Sequence, residues 1–174
     1  MKDKVLIIIN GKGGVGKDTL CDFAGQHFSV RNVSSITPIK EIAAKYGWKG
    51  EKTPKARKFL ADLKEVFTQY NDLPTNYLLQ QYEEFLSGEE ELMFAHIREG
   101  KEIDKLKQRV SGKCITLLVK RMRDGPENWG NTSDDEAENY PYDFVYENHL
   151  PLDEAENDFL RFLREMLQEC VDVK

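Results

Sequence analysis

No apolar run in this chain is longer than Val5–Ile9, whereas a membrane-spanning helix needs about 20 such residues. Cysteine is scarce. Cys21, Cys114 and Cys170 are an odd, widely spaced set with no CxxC pair, which excludes a disulfide framework and a zinc module. They read as ordinary thiols of a reducing compartment, so the expected location is cytoplasmic. A positive charge balance is missing too. With 25 basic against 31 acidic side chains the chain carries −6, which argues against a role in coating nucleic acid. Met1–Lys4 leads straight into an apolar run with no small-residue cleavage site, so no secretory signal is expected. Internal repeats and low-complexity tracts are absent, and His27, His96 and His149 have no zinc spacing with the cysteines.

What is present fits one globular domain of 174 residues, 40% apolar and 32% charged. Val5–Ile9 is a continuous β-branched and leucine run, the pattern of a strand buried on both faces. A glycine-rich loop follows and leads into a helix over about Lys17–Phe28. Val33–Ile36 is a second strand candidate, and Pro38 is placed to open a helix through Lys45. Phe59, Leu60, Leu63, Val66 and Phe67 recur at helical spacing, which predicts a helix over about Lys55–Tyr70. Asn71–Pro74 breaks it, and a helical pattern resumes over Tyr77–Leu86. Leu92–Ile97, Cys114–Val119 and Tyr142–Tyr146 read as further strands, with a charged helix over about Glu102–Val110 and a last helix over Leu152–Val171. From Arg123 to Pro141 the chain is polar with almost no apolar period, the pattern of a surface flap. Strands alternating with helices predict an α/β fold with a mainly parallel sheet.

Gly11-Lys-Gly-Gly-Val-Gly-Lys17-Asp18-Thr19 is the most specific motif, a GxxxxGK loop between a buried strand and a helix. Its residues (Gly11, Lys12, Gly13, Gly14, Val15, Gly16, Lys17, Asp18 and Thr19) are the candidate nucleotide-binding set. Glycines let successive backbone N–H groups converge on phosphate oxygens, at a helix N-terminus whose dipole favours anions. Lys17 is placed to reach the β- and γ-phosphates of ATP. Asp18 stands where Ser or Thr is usual; it can ligate Mg²⁺ through a hard oxygen, or serve as an acid that suits a helix first turn. Thr19 offers a hydroxyl to the α-phosphate.

Gly16–Thr19, followed by Asp22-Phe23, resembles the loop of bacteriophage-type deoxynucleoside monophosphate kinases. Animal-type phosphomevalonate kinases, of the same adenylate-kinase-like superfamily, also carry Gly-Lys-Asp. Thr37-Pro-Ile-Lys40-Glu41 is similar to a segment that both families place after the second strand. Phe94–Arg98 lies where they carry a strand ending in Asp-x-Arg, and Asp143–His149 resembles their tail before the last helix. Asp134–Glu138 is similar to the acidic stretch ahead of that tail. The resemblance implies a three-layer P-loop fold with a five-stranded sheet in the order 2-3-1-4-5, a helical acceptor-binding region over about 40–90 and a lid near 121–141. It further implies ATP and Mg²⁺ as cofactors, with Lys40 and Arg98 holding the acceptor phosphate. Arg121 or Arg123 would approach the transferring group from the lid.

Between Lys40 and Lys64 there are eight Lys or Arg residues against three acids, a surface for a small anionic substrate or simply a solvated helix face. Lys52 and Arg57, beside a turn, are the better substrate-binding candidates. Tyr46, Trp48, Phe67, Tyr70 and Tyr77 can stack on a base or pack as core. The expected activity is phosphoryl transfer to a (deoxy)nucleoside monophosphate by a monomer or homodimer, with no nucleic-acid or membrane partner. Alternatives are a phosphomevalonate or other small-metabolite kinase. A non-catalytic ATP switch is another, since Lys12–Lys17 also matches the deviant phosphate loop of partitioning ATPases. His96, in place of the expected Asp, leaves open a protein that binds nucleotide without transferring phosphate.

Overall fold

The computed structural model describes residues 4–121 and 137–172. Five strands, β1 (Val5–Asn10), β2 (Val30–Ser34), β3 (Leu92–His96), β4 (Lys113–Lys120) and β5 (Phe144–Glu147), form one sheet in the order β2-β3-β1-β4-β5. Every pairing is parallel. Six α-helices are described: α1 (Lys17–Gly25), α2 (Thr37–Lys45), α3 (Pro54–Asn71), α4 (Leu73–Ser87), α5 (Gly100–Arg109) and α6 (Leu152–Asp172). None is long and apolar enough to cross a membrane.

All six residues of β1 are buried, as its unbroken apolar run requires of a central strand covered on both faces. Ile7 and Ile9 pack with Phe94, Leu117, Leu20 of α1 and Phe159 and Leu163 of α6. Leu6 and Ile8 point the other way, against Leu78 and Phe85 of α4 and Ile103 and Leu106 of α5. The period of two along a strand thus divides one core into two layers of contacts around the sheet.

Two boundaries differ from the sequence expectation. The second strand runs over Val30–Ser34 rather than Val33–Ile36, because its parallel register sets Val30 against Leu92 and Ser34 against His96. As an edge strand with Arg31 and Asn32 inside it, β2 carries little apolar signal of its own. Helix α4 begins at Leu73, not Tyr77. Pro74 is tolerated in a first turn, where its missing N–H has no partner to lose, and the break is the single residue Asp72 at φ 53°. Asp72 accepts an ion pair from Lys105 at 3.1 Å, which pins this helical corner to α5. Of the polar stretch expected as a flap, the described end forms a 3₁₀ turn over Ala137–Asn139 with Ala137 buried. Arg123 lies outside the described residues.

Candidate nucleotide-binding site

Parallel registers align the carboxyl ends of the strands. Ile9 and Ser34 both pair with His96, Asn10 with Leu118 and Lys120 with Glu147. Loops at this edge are where open α/β sheets place their ligands. The glycine loop leaves the central strand β1, so it occupies the middle of the edge. Arg98 follows β3 on one side of it, and Arg121 and Asn148 follow β4 and β5 on the other.

The loop is held from both flanks. Asn10 Oδ1 accepts from the Gly11 N–H at 2.8 Å, while Asn10 Nδ2 donates to the Arg98 carbonyl at 2.9 Å and to the Tyr142 hydroxyl at 2.7 Å. Tyr142 in turn donates to the Ala137 carbonyl at 2.6 Å. Across the loop, buried Asn148 donates through Nδ2 to the Val15 carbonyl at 2.8 Å, and its own N–H donates to the Lys120 carbonyl at 2.8 Å. Gly16 precedes α1 at φ 96°, and a Cβ there would lie 2.6 Å from Asn148 Nδ2. The Gly16 cap position makes no side-chain hydrogen bond to α1, and the positive end of that helix's dipole faces the loop.

Lys17 Nζ folds back over the loop, donating to the Gly11 carbonyl at 2.5 Å and the Lys12 carbonyl at 3.0 Å. The ammonium therefore lies across the cradle that the glycines make. Lys12 forms an ion pair with Glu138 of its own chain at 3.7 Å. Asp18 is exposed in the first turn of α1. Among the described residues no three His, Cys, Asp or Glu side chains cluster to hold a metal ion. One carboxylate and the adjacent Thr19 hydroxyl nevertheless suit Mg²⁺, which commonly takes one or two protein ligands and completes its shell with phosphate and water.

On the β4–β5 side an open cleft is lined by Thr19 and Phe23 of α1 together with Arg121, Asn148, Leu150 and Leu152. Its walls mix polar and apolar groups, and Arg121 is the charged residue among them. Arg121 thus stands on the side of the loop away from Arg98. On the β3 side, Glu99 is bound to Lys64 of α3 at 2.6 Å, so one lysine of the basic helical stretch turns inward. Lys40, Lys52 and Arg57 are exposed, and among the described residues no hydrogen bond or ion pair joins their side chains to the glycine loop. Lys58 pairs with Asp62 on the solvated face of α3. Tyr46 and Tyr70 are 79% and 82% exposed, and Trp48 is half-buried with its Nε1 donating to the Glu51 carbonyl at 3.3 Å. None of these three is packed as core.

His96 ends β3 beside the loop. Its Nε2 lies 2.8 Å from Asn32 Oδ1, which fixes that nitrogen as the N–H donor, and 3.7 Å from the Cys21 sulfur. Burial pushes its pKa down to about 4, against the opposing pull of Asp18 and with a smaller push from Lys17. The imidazole is therefore neutral at physiological pH. Burial likewise pushes the Cys21 thiol up, with Asp18 and Asp22 acting in the same direction, which keeps it protonated and unreactive. A histidine that titrates lower in the folded chain than in the unfolded one stabilises fully above pH 6.5. That stabilisation, up to about 3 kcal/mol, is lost as pH falls through about 4. Urea midpoints at pH 7.5 and 4.5 are expected to fall further for the wild type than for His96→Asn. Equal pH dependences would show that His96 contributes nothing to acid sensitivity.

No protein-family model and no curated protein sequence matches this chain. Solved structures do. A Chloroflexus aurantiacus protein provisionally called a kinase superposes with a TM-score of 0.59 at 13% identity, over 97% of this chain and 98% of that one. Shikimate kinase from Bacteroides thetaiotaomicron superposes with a TM-score of 0.55 at 16% identity, covering 94% of this chain and 98% of the other. The fold is that of the P-loop kinases. At such identities the likeness concerns the path of the chain, and the chemistry rests on the side chains above.

Proposed function

We propose that this P-loop kinase-fold chain transfers the γ-phosphoryl group of ATP to a small phosphorylated acceptor, in the first place a ribo- or deoxynucleoside monophosphate. The observation that carries the reading is the placement of the Gly11–Thr19 loop and Lys17 at the centre of the sheet edge. One flank has a small cleft lined by Phe23, Leu152 and Arg121, and the other has the cation Arg98. In line, an acceptor phosphate oxygen forms a bond to the γ-phosphorus while the bond from that phosphorus to the β–γ bridging oxygen breaks. Its electrons leave on ADP. Lys17 and the first amides of α1 neutralise charge on the equatorial and leaving oxygens, and Arg98 orients the acceptor phosphate. Mg²⁺, held through Asp18 and Thr19, supplies further charge neutralisation when bound. In this reading Arg121 serves the nucleoside of ATP, the 40–90 helices carry the acceptor, and Lys40, Lys52 and Arg57 form the rim that attracts it. Most of the 121–141 segment expected as a lid, Arg123 included, lies outside the described residues.

One chain supplies the loop and both flanks, so a monomer or a homodimer with independent sites suffices. The Lys12–Glu138 pair engages Lys12 within its own chain, which favours a kinase over a dimeric switch whose corresponding lysine reaches the partner's nucleotide. ADP release from ATP·Mg²⁺ against a panel of nucleoside monophosphates and phosphomevalonate tests the reading. Turnover with one acceptor that disappears in Lys17→Ala is expected. ATP binding without turnover on any acceptor would overturn the assignment in favour of a nucleotide-binding protein.

A further inference from the structure

Three glycines of the loop sit at positive φ: Gly11 at 146°, Gly14 at 77° and Gly16 at 96°. Such a backbone is intrinsically loose, and freezing it on a ligand costs entropy. At the start of the loop stands Asn10, a buried amide only 1% exposed. Its Oδ1 accepts from the Gly11 N–H at 2.8 Å. Its Nδ2 donates to the Arg98 carbonyl at 2.9 Å and to the Tyr142 hydroxyl at 2.7 Å. The amide cannot be turned over, because the Gly11 N–H only donates and the Arg98 carbonyl only accepts. Tyr142 has one hydroxyl proton, which goes to the Ala137 carbonyl at 2.6 Å, so towards Asn10 the hydroxyl accepts. One side chain thus joins the first peptide of the loop to segments 88 and 132 positions away. On its other side Gly11 is pressed against β4, where a Cβ would strike the Val119 carbonyl oxygen.

We propose that Asn10 is a positioning residue for nucleotide binding and that Tyr142 acts through it. Asn10 does this without touching phosphate. Its oxygen holds the first amide of the loop, and its nitrogen is anchored to the backbone leaving β3 and to the segment entering β5. The loop is thereby preset, and less order has to be imposed on it when an anion binds. Each donor in the network has an acceptor, so deleting one member leaves its partners unsatisfied and the amide free to turn. The inference rests on the reading of the glycine loop as a nucleotide site and concerns affinity for the nucleotide. The Arg98 guanidinium and the acceptor play no part in it.

The test titrates Mg²⁺ and a non-hydrolysable ATP analogue into the full-length chain by calorimetry, well below the melting temperature of each variant. Asn10→Ala is expected to bind at least about tenfold more weakly than wild type, and Tyr142→Phe, which keeps its ring, about three- to fivefold more weakly. The double variant is expected to match Asn10→Ala alone, because Tyr142 acts through the amide. Thr116→Val is the structural control. Thr116 is fully buried in the middle of β4, opposite Ile8, and its hydroxyl exchanges hydrogen bonds with Asp143. It should lower Tm and leave the affinity within about twofold of wild type. Asn10→Ala that binds as tightly as wild type would overturn the proposal. So would losses that multiply in the double variant, or a Thr116→Val affinity as weak as that of Asn10→Ala, since either marks a general loosening. Should Asn10→Ala give no cooperative melt, Tyr142→Phe decides alone, and an unchanged affinity there refutes the role. Wild type that fails to bind the analogue refutes the nucleotide reading itself, and the positioning role falls with it.

Discussion

Lys17→Ala is expected to lower phosphoryl transfer by about 10²–10³-fold, the typical loss when one preorganised donor to a developing oxyanion is removed. Lys17 Nζ already lies over the loop, bonded to the Gly11 and Lys12 carbonyls. Little reorganisation is needed for it to exchange those carbonyls for phosphate oxygens. If its charge acts mainly on the transition state, kcat falls much more than KM rises. The fold is expected to survive, since Lys17 is only partly buried and anchors no apolar contact of the core. Steady-state kinetics with a parallel thermal melt checks both halves. An unchanged kcat in a folded variant would remove Lys17 from the chemistry.

Gly11→Ala is expected to have the largest effect on stability. Gly11 adopts φ 146°, and a Cβ there would run into the backbone carbonyl oxygen of Val119. That carbonyl belongs to β4, which is paired with β1 on one side and β5 on the other, so it has nowhere to move. A backbone clash together with a left-handed φ is expected to cost about 2–4 kcal/mol. For a chain of this size that is a fall in Tm of roughly 5–15 °C. Gly16→Ala makes a useful contrast. Its φ is also positive, but the obstructing atom is the end of the Asn148 side chain. It should lose less stability and more ATP affinity, through release of the Val15 carbonyl from Asn148. Equal Tm values for Gly11→Ala and wild type would mean that the loop relaxes freely, contrary to its packing against β4.

The glycine-rich loop between β1 and α1 was legible in the sequence because it is local. Glycines that permit the turn, a lysine at fixed spacing and the apolar run before them lie within fifteen residues, and their physical requirements are met by neighbours along the chain. The same holds for β1, whose all-apolar run announces burial on both faces. Edge strand β2 was misplaced because register with β3, rather than its own composition, decides which residues pair. The start of α4 was missed because proline, a breaker inside a helix, is harmless in the first turn.

What surrounds the loop was decided by the tertiary structure alone. Asn148 reaches Val15 across 133 positions and Tyr142 meets Asn10 across 132. An asparagine or a tyrosine in a polar stretch carries no signal that it will hold a distant backbone group. Lys64 looked like any member of a basic helix, and its pairing with Glu99 depends on how α3 docks against α2 and α4. The neutrality of His96 is likewise a property of its burial, not of its residue type. Sequence by itself determined the glycine-rich turn after β1 and the alternation of strands and helices, because both follow from short-range patterns. The strand order that sets Arg98 and Arg121 on opposite sides of that loop was expected only through the resemblance to known kinases, and the folded chain fixes it because strand order depends on long-range pairing.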